Sequence, residues 1–426
     1  MKKTFIFAMA ALTVAVGCRK FKEDVKPYVD PLDDGNPVEI TFNTNVVNVQ
    51  TRASLTGLNE SNDLYIHGLN RTRPGVGEII NAKAHMSRPA DAAEGWSLAK
   101  GPMTFADGKT FFYSGTRDAY DFYGYYVADA AVVPETLTGY KIDVTIDGTQ
   151  DILLGVADPA ADITAPGVNT DVVTGVQDVY SAWSARRGVT PNLVFRHVLA
   201  QYKFEVKNRG TLPVVLQSVE ITSKTQGELT VVNQAPSAEG AGDGLVQGLV
   251  IKQGDVDAKL KLNSSTFVAG GALLDPKGEG AEDDVMVDGV RLGPLQETPV
   301  ELQGELMTFA GQDNKVVLRL VQKGMKDGEY RQITIPITLD EVLNHGTKTQ
   351  EGYSYLVSLV VYSLEEVGIT VTLLPWQDGG NVLLDQEVEA GKPGTGYEDE
   401  IYTDNNDADG GSDSSADTGN DDAGQA

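Results

Sequence analysis

Few residues of this 426-residue chain have the types and spacing that chemistry requires. Its one cysteine is Cys18, and its four histidines, His67, His85, His197 and His345, stand far apart. A metal site needs several ligands together, so a lone histidine is better explained as a structural residue. The chain also contains no His-Glu-x-x-His, Gly-x-Ser-x-Gly or P-loop motif. We therefore predict that the protein is not an enzyme, and we predict neither a metal nor a cofactor.

Cys18 follows a short segment that is typical of export. Two lysines begin the chain, an apolar run spans residues 5–16, and small residues lead into the cysteine. The run is too short to cross a bilayer as a helix, so residues 1–17 are predicted to be a secretory signal peptide. A cysteine after Ala-Val-Gly resembles the lipobox of bacterial lipoproteins, whose thiol carries a fatty acid such as palmitate. The alternative is a buried thiol, but the charged residues after Cys18 are typical of a solvated tether.

The charge of the chain is strongly negative and unevenly distributed. A net charge of −27 repels phosphate groups, so nucleic acid is not a predicted partner. Residues 391–426 contain ten acidic residues and one lysine, and this tail has too few apolar residues to offset the entropy of ordering. We predict that it is disordered. Its Asp and Asn spacing resembles a calcium loop, but Ala416 stands where a glutamate ligand belongs.

Between the tether and the tail, the hydrophobic pattern has a period of two. In residues 198–206, apolar side chains alternate with lysine and glutamate, and similar runs recur with Gly, Pro, Asn and Asp between them. This pattern predicts an all-β chain of two tandem β-sandwiches. Gly188 and Pro191 interrupt the strand-rich halves, so we place the two domains at 53–188 and 189–390.

The aromatic run at residues 111–127 has two interpretations. Its rings alternate between two strand faces, one with Tyr120, Phe122 and Tyr126 and the other with Tyr123 and Tyr125. Such a run can stack sugars, but a strand packed on both faces needs the same pattern. We favour core packing over a sugar-binding platform.

A short strand is predicted between the tether and Arg52. Apolar residues alternate with polar ones along it, at Val38, Ile40, Phe42 and Val46. The following Thr-Arg-Ala-Ser sequence is suited to an exposed turn, and cleavage between Arg52 and Ala53 would detach this strand together with the lipid. We call residues 18–52 the pro-segment. The alternative is that Arg52 is one more surface arginine.

Five stretches, in this order, carry a resemblance to a known family. They are the lipobox at Cys18, TRA at 51–53, YDFYGYY at 120–126, LVFRHVLAQYKFEV at 193–206 and YSYLVSLVVYSLEEVGITVTLLPW at 353–376. The chain resembles the fimbrillins, the subunits of type V pili, and their Mfa-like branch in particular. The resemblance implies two transthyretin-like β-sandwich domains, export as a lipoprotein, cleavage by a trypsin-like arginine-specific protease and polymerisation by strand exchange. On that template the cleaved residue is Arg52.

The resemblance makes a structural pilus subunit that supports adhesion the first functional hypothesis. Such a subunit reaches the outer membrane as a lipoprotein, binds membrane lipid until it is cleaved, and then joins identical or related subunits in a cell-surface fimbrium. The candidate donor strand is 381–388, in which Val382, Leu384 and Val388 share one face. Two alternatives stay open: a lipid-anchored surface adhesin or glycan-binding lipoprotein, and a pilus anchor or tip subunit.

Overall fold

Alternating apolar and polar residues give this chain strands with one buried face. The computed structural model describes residues 31–46, 63–73, 78–86, 100–127, 139–165, 167–168, 179–233, 244–275, 285–322, 325, 329–339 and 347–374. Strands dominate these ranges, so the predicted all-β class is confirmed. The finer prediction of two transthyretin-like sandwiches stays a prediction.

The first eight strands contain a closed barrel. They are β1 (Phe42–Val46), β2 (Leu64–Asn70), β3 (Glu78–Met86), β4 (Lys100–Phe105), β5 (Tyr120–Val127), β6 (Lys141–Thr145), β7 (Ile152–Ala157) and β8 (Asn192–His197). Within the described residues, all of them except β6 close the barrel in the order β1-β4-β3-β2-β5-β7-β8. The predicted domain boundary at 188 therefore falls just before β8, which is a barrel strand.

The strand β1 closes the barrel because it pairs on both of its sides. It runs antiparallel to β4, with Phe42 opposite Met103. It runs parallel to β8, with Asn43 opposite Asn192. Full closure leaves no strand edge in the barrel open to other chains. The closure therefore depends on β1, the first strand of the described residues.

The C-terminal half of the described residues is layered. Its strands are β9 (Leu199–Asn208), β10 (Val214–Ser223), β11 (Gln226–Thr230), β12 (Gly248–Ile251), β13 (Ala258–Lys261), β14 (Val268–Asp275), β15 (Val285–Leu292), β16 (Val300–Phe309), β17 (Lys315–Gln322), β18 (Arg331–Pro336), β19 (Ser354–Val361) and β20 (Val367–Leu374). One sheet has the order β16-β9-β19-β20. A second has the order β14-β15-β10-β17-β18, and β13 also pairs with β10. The strand β6 leaves the first half to join the sheet β12-β11-β6.

The barrel and the layered half share buried surface. Tyr120 and Phe122 of β5 pack in the barrel core, whereas Tyr123 and Tyr125 pack with the core of the layered half. The interpretation of this aromatic run as core is confirmed for these four rings, which are buried, whereas Tyr126 is half-buried and Phe112 is 48% exposed. All described residues belong to one compact unit, which ends at Gly380.

Two short α-helices occur in the described part of the chain, α1 (Pro159–Asp162) and α2 (Ala182–Ala185), together with one turn of 3-10 helix at Ala106–Gly108. The side chain of Asp158 caps α1 by accepting a hydrogen bond from the amide of Ala160 at 2.9 Å. Among the described residues, we find no helix with both the length and the hydrophobicity that a membrane span needs.

Candidate functional site

The predicted site residues fall into two groups. The strand predicted before Arg52 is described in large part, with Val38, Ile40 and Phe42 in place and Val46 ending β1. The described ranges do not include Cys18, Arg52, Ala53, Val382, Leu384 and Val388. The site that the structure describes is therefore the place that residues 31–46 occupy in the barrel.

Residues 38–42 show the predicted alternation. Ile40 and Phe42 are 1% and 2% exposed, and Val38 is half-buried against the same core. Glu39 and Thr41 between them are exposed. This stretch has one face in the barrel core and one face in solvent.

Phe42 is held by other aromatic rings. Its ring centroid lies 4.9 Å from that of Phe122 and 5.8 Å from that of Phe105, and both pairs pack edge to face. Such pairs add about 0.5–1.5 kcal/mol to the energy of burial. Burying Ile40 and Phe42 contributes roughly 1.5–3 kcal/mol for each side chain. Residues 38–42 are therefore part of the hydrophobic core.

Backbone hydrogen bonds hold the same segment before β1 begins. The amide of Ile40 donates to the carbonyl of Phe111 at 2.8 Å, and the amide of Tyr113 donates to the carbonyl of Val38 at 3.0 Å. The ladders to β4 and β8 continue this pairing along β1. We call the place that this segment fills the strand slot: the backbone of 111–113, the facing edges of β4 and β8, and the rings of Phe105 and Phe122.

Arg186 anchors the start of the segment, and the sequence alone did not indicate this contact. Its Nη2 donates to Oδ1 of Asp33 at 2.8 Å and to the carbonyl of Asn36 at 3.4 Å. The Arg186 side chain is only 12% exposed. It lies at the end of α2, in a stretch that the sequence marks only as a break between strand-rich regions. The pair joins residues 153 positions apart, so no local pattern could reveal it.

A buried polar cluster lies where β8 leads into β9. His197 Nδ1 is 2.9 Å from a carboxylate oxygen of Asp151, and the hydroxyl of Ser354 donates to the side-chain oxygen of Gln201 at 2.7 Å. The amide of Gln201 donates to Glu305, and burial raises the pKa of Glu305. Among the described residues, no group of three or more His, Cys, Asp or Glu side chains is arranged to hold a metal ion. We interpret the cluster as a structural contact.

The strand slot is complete only with residues 31–46 in place, because β1 pairs with both β4 and β8. Removing residues 31–46 would leave unpaired amides and carbonyls on β4 and β8 and expose the rings of Phe105 and Phe122. Both changes are unfavourable in water. A second strand with the same alternation would restore the backbone hydrogen bonds and the apolar contacts together.

Solved structures similar to this chain come from bacterial surface proteins. A protein named for cell adhesion from Bacteroides uniformis is 14% identical with a TM-score of 0.42, over 80% of this chain and 99% of that chain. Another protein named for cell adhesion, from Parabacteroides distasonis, is 10% identical with a TM-score of 0.42, over 80% and 97%. The tip fimbrial protein Mfa3 from Porphyromonas gingivalis, with a C-terminal truncation, is 11% identical with a TM-score of 0.31, over 80% and 100%.

No protein-family model and no curated protein matches this sequence. The names of the similar structures are those of cell adhesion and fimbrial proteins.

Proposed function

We propose that this protein is a structural subunit of a cell-surface pilus and that it polymerises by strand exchange. In the precursor, residues 31–46 fill the subunit's own strand slot and block assembly. Cleavage after Arg52 releases them, and a strand from a neighbouring subunit takes their place.

One observation carries this proposal: the strand nearest the N-terminus closes the barrel. It pairs with β4 on one side and with β8 on the other, and Arg52 follows six residues after its end at Val46. A cut after Arg52 therefore separates a core strand from the rest of the chain. An N-terminal strand added to the outside of a sheet could leave without opening the core, whereas loss of β1 reopens two strand edges.

Cys18 has a transient role in this scheme. Its lipid holds the exported precursor at the outer membrane, and the lipid leaves with the pro-segment when Arg52 is cut. Replacing Cys18 by serine removes the only thiol that can be acylated. We expect Cys18→Ser to lose labelling by a fatty-acid probe and to be missorted. Unchanged labelling would contradict the lipid assignment.

The lent strand in this proposal is 381–388 of a neighbour. Each subunit lends a strand at one end and receives one at the other, so the contact is head-to-tail and does not close on itself. A filament follows from that geometry. Its partners are identical or related subunits and, before assembly, the arginine-specific protease.

Processing at Arg52 is tested by intact mass and N-terminal sequencing of surface material. We expect the assembled subunit to begin at Ala53, because that cut frees β1. Arg52→Ala should leave an unassembled lipoprotein at the membrane, and Arg52→Lys should do the same if the protease requires arginine. Assembled subunits that begin at acylated Cys18 would contradict a shaft subunit and favour an anchor. A lipidated monomer that never assembles would favour the adhesin.

Donation by 381–388 is tested by Leu384→Asp. Burying an aliphatic side chain contributes about 1.5–3 kcal/mol, and a buried charge adds a desolvation cost. The variant should be cut after Arg52 and fail to polymerise, as judged by sedimentation. Asp385→Ala is the matched control on the opposite strand face and should polymerise normally. Normal filaments from Leu384→Asp would contradict this donor and favour a tip subunit.

A further inference from the structure

The pro-segment enters the barrel through a tight turn at Asp33–Asn36. The amide of Gly35 donates to Oδ1 of Asp33 at 3.1 Å, and the amide of Asn36 donates to Oδ1 of Asp34 at 3.0 Å. Gly35 has a φ of +80°, which glycine adopts at little cost. Arg186 contacts both ends of this turn, the carboxylate of Asp33 and the carbonyl of Asn36.

The amino-acid sequence of this turn and the residues after it is partly repeated near the other end of the chain. Residues 34–40 read DGNPVEI, and residues 378–384 read DGGNVLL. Aligned without a gap, the two stretches share an aspartate, the glycine after it and a valine four positions after the aspartate. Leu384 aligns with Ile40. In this alignment Gly379 matches Gly35, whose positive φ favours glycine.

We propose that residues 377–388 of a second copy enter the strand slot in one register, with Val382 in the place of Val38 and Leu384 in the place of Ile40. We also propose that Arg186 sets this register by binding the turn that Asp378 and Gly379 begin. This inference rests on the proposed function and adds the register and its positioning residue.

The chemistry of the slot supports this register. Val382 and Leu384 have the sizes to fill the positions of half-buried Val38 and buried Ile40. In this register their backbone would take over the hydrogen bonds that Val38 and Ile40 make with Tyr113 and Phe111. Arg186 loses the carboxylate of Asp33 when the pro-segment leaves. In the proposed register, Gln377 stands for Asp33 and offers a side-chain oxygen, while Asp378 stands for Asp34.

One mismatch explains why the precursor does not exchange its strand early. Gln386 stands where Phe42 fills the space between Phe105 and Phe122. The lent strand therefore buries less apolar surface than the pro-segment. The lent strand therefore competes for the strand slot only after cleavage allows the pro-segment to leave. Gln386→Phe should increase the yield of polymer several-fold, whereas Glu387→Phe, on the outward face of the proposed strand, should not.

The register is tested by cysteine pairs in the full chain on the cell surface. Asn43 lies opposite Pro102 in the precursor, and both are exposed, so Glu387 of a neighbour should lie opposite Pro102 after exchange. The mature subunit has no other cysteine, because Cys18 leaves with the pro-segment. Pro102→Cys with Glu387→Cys should form a disulfide between subunits upon mild oxidation.

Register controls use the neighbouring outward positions. A slip of two residues moves a strand by about 7 Å, which puts the Cα atoms beyond the ~7 Å limit for a disulfide. Asp385→Cys or Glu389→Cys, each with Pro102→Cys, should therefore crosslink at least ten-fold less. The pair Asn43→Cys and Pro102→Cys calibrates the geometry, because its disulfide should keep the cleaved pro-segment attached.

The role of Arg186 is tested first by a substitution in the lent strand, which leaves the receiving barrel unchanged, and then by a substitution of Arg186 itself. Gln377→Ala should lower the yield of the 387–102 disulfide at least five-fold, because Gln377 stands for Asp33, whose carboxylate Arg186 contacts; the control Asp385→Ala should not. Arg186→Met should lower the yield similarly, and adding Gln377→Ala to it should have little further effect, because both changes remove one interaction.

The outcomes separate the register from the proposed function. Disulfides from 385 or 389 in place of 387 would overturn the register and leave strand exchange standing. Equal yields for Gln377→Ala and Asp385→Ala would overturn recognition of the turn by Arg186. If the calibrating pair forms and no pair joins two subunits, both the register and donation by this segment are wrong.

Discussion

Phe42 shows at the scale of one residue why residues 38–42 belong to the folded core. Its ring is 2% exposed and packs edge to face on two other rings. A side chain that only covered the barrel from outside would retain contact with water. The energy that holds the pro-segment is thus concentrated in a few residues.

Phe42→Ala is expected to destabilise the precursor by about 3–5 kcal/mol, the usual range for a buried phenylalanine. The measurement is urea unfolding of the uncleaved chain, with Thr41→Ala as control. Thr41 is exposed, so its truncation should cost less than about 0.5 kcal/mol. A loss below about 1 kcal/mol for Phe42→Ala would show that the precursor does not depend on this strand.

Glu305 makes stability depend on pH. Burial raises its pKa above the ordinary value of 4.5, and Lys203 opposes this shift. Because the folded state favours the neutral acid, the contribution of Glu305 to stability is fully present below about pH 4.5 and is lost as the pH rises through its folded pKa. The amide of Gln201 donates to the carboxyl group, and a glutamine oxygen at 305 can accept the same bond.

Glu305→Gln is therefore expected to be more stable than the parent at pH 7.5, with the difference shrinking towards zero at pH 4. Urea midpoints at both pH values measure it. Glu301→Gln on the same strand is the control, because Glu301 is exposed. A gain at pH 4 equal to that at pH 7.5 would show that ionisation of Glu305 is not the cause.

At the scale of elements, the barrel depends on glycines beneath one ring. Phe195 of β8 lies over Gly155 of β7 and Gly124 of β5. A Cβ atom added at either glycine would come within 2.8 Å of the ring. Strand interiors usually avoid glycine, so these positions are explained by the approach of the ring. The two glycines let β5, β7 and β8 pack closely, and β8 is the strand that pairs with β1.

Gly155→Ala is expected to cost about 1–3 kcal/mol through overpacking. Combining it with Phe195→Leu should cost less than the sum of the two single changes, because the smaller side chain makes room. Thermal unfolding measures all three variants. Gly248→Ala is the control, since an added Cβ meets nothing within 4 Å there. Additive costs would rule out the contact as the cause.

At the scale of the whole molecule, charge should control how fast subunits associate. The chain carries −27, so two copies repel each other over a distance that salt shortens. Ten of its acidic residues lie in 397–426. The proposed strand exchange would have to bring such subunits into contact despite this repulsion.

Polymerisation of the cleaved subunit is therefore expected to be several-fold faster at 200 mM than at 20 mM salt, as followed by light scattering. Deleting 397–426 should leave filaments intact and weaken the salt dependence, because ten negative charges are removed. Slower assembly at high salt would indicate that attractive ion pairs between subunits dominate. Loss of filaments upon deletion would show that the tail is more than a spacer.

The sequence by itself determined the features that depend on near neighbours along the chain. A period of two predicts an all-β fold and the inward face of 38–42, and it correctly assigned the rings of 120–126 to two packed faces. The lipobox predicted at Cys18 and the cleavage site predicted at Arg52 also rest on local patterns, and both stay predictions. Each is visible because the side chains that act together are close in sequence.

Only the tertiary structure decided which strands pair. Many strands of this chain have the same alternation, so the pattern cannot show that β1 lies between β4 and β8 or that β6 joins β11. The contact of Arg186 with Asp33 is equally hidden. Partner choice depends on closing a barrel over long sequence separations, where register and packing of the whole core set the energy. The strand slot exists only at that level.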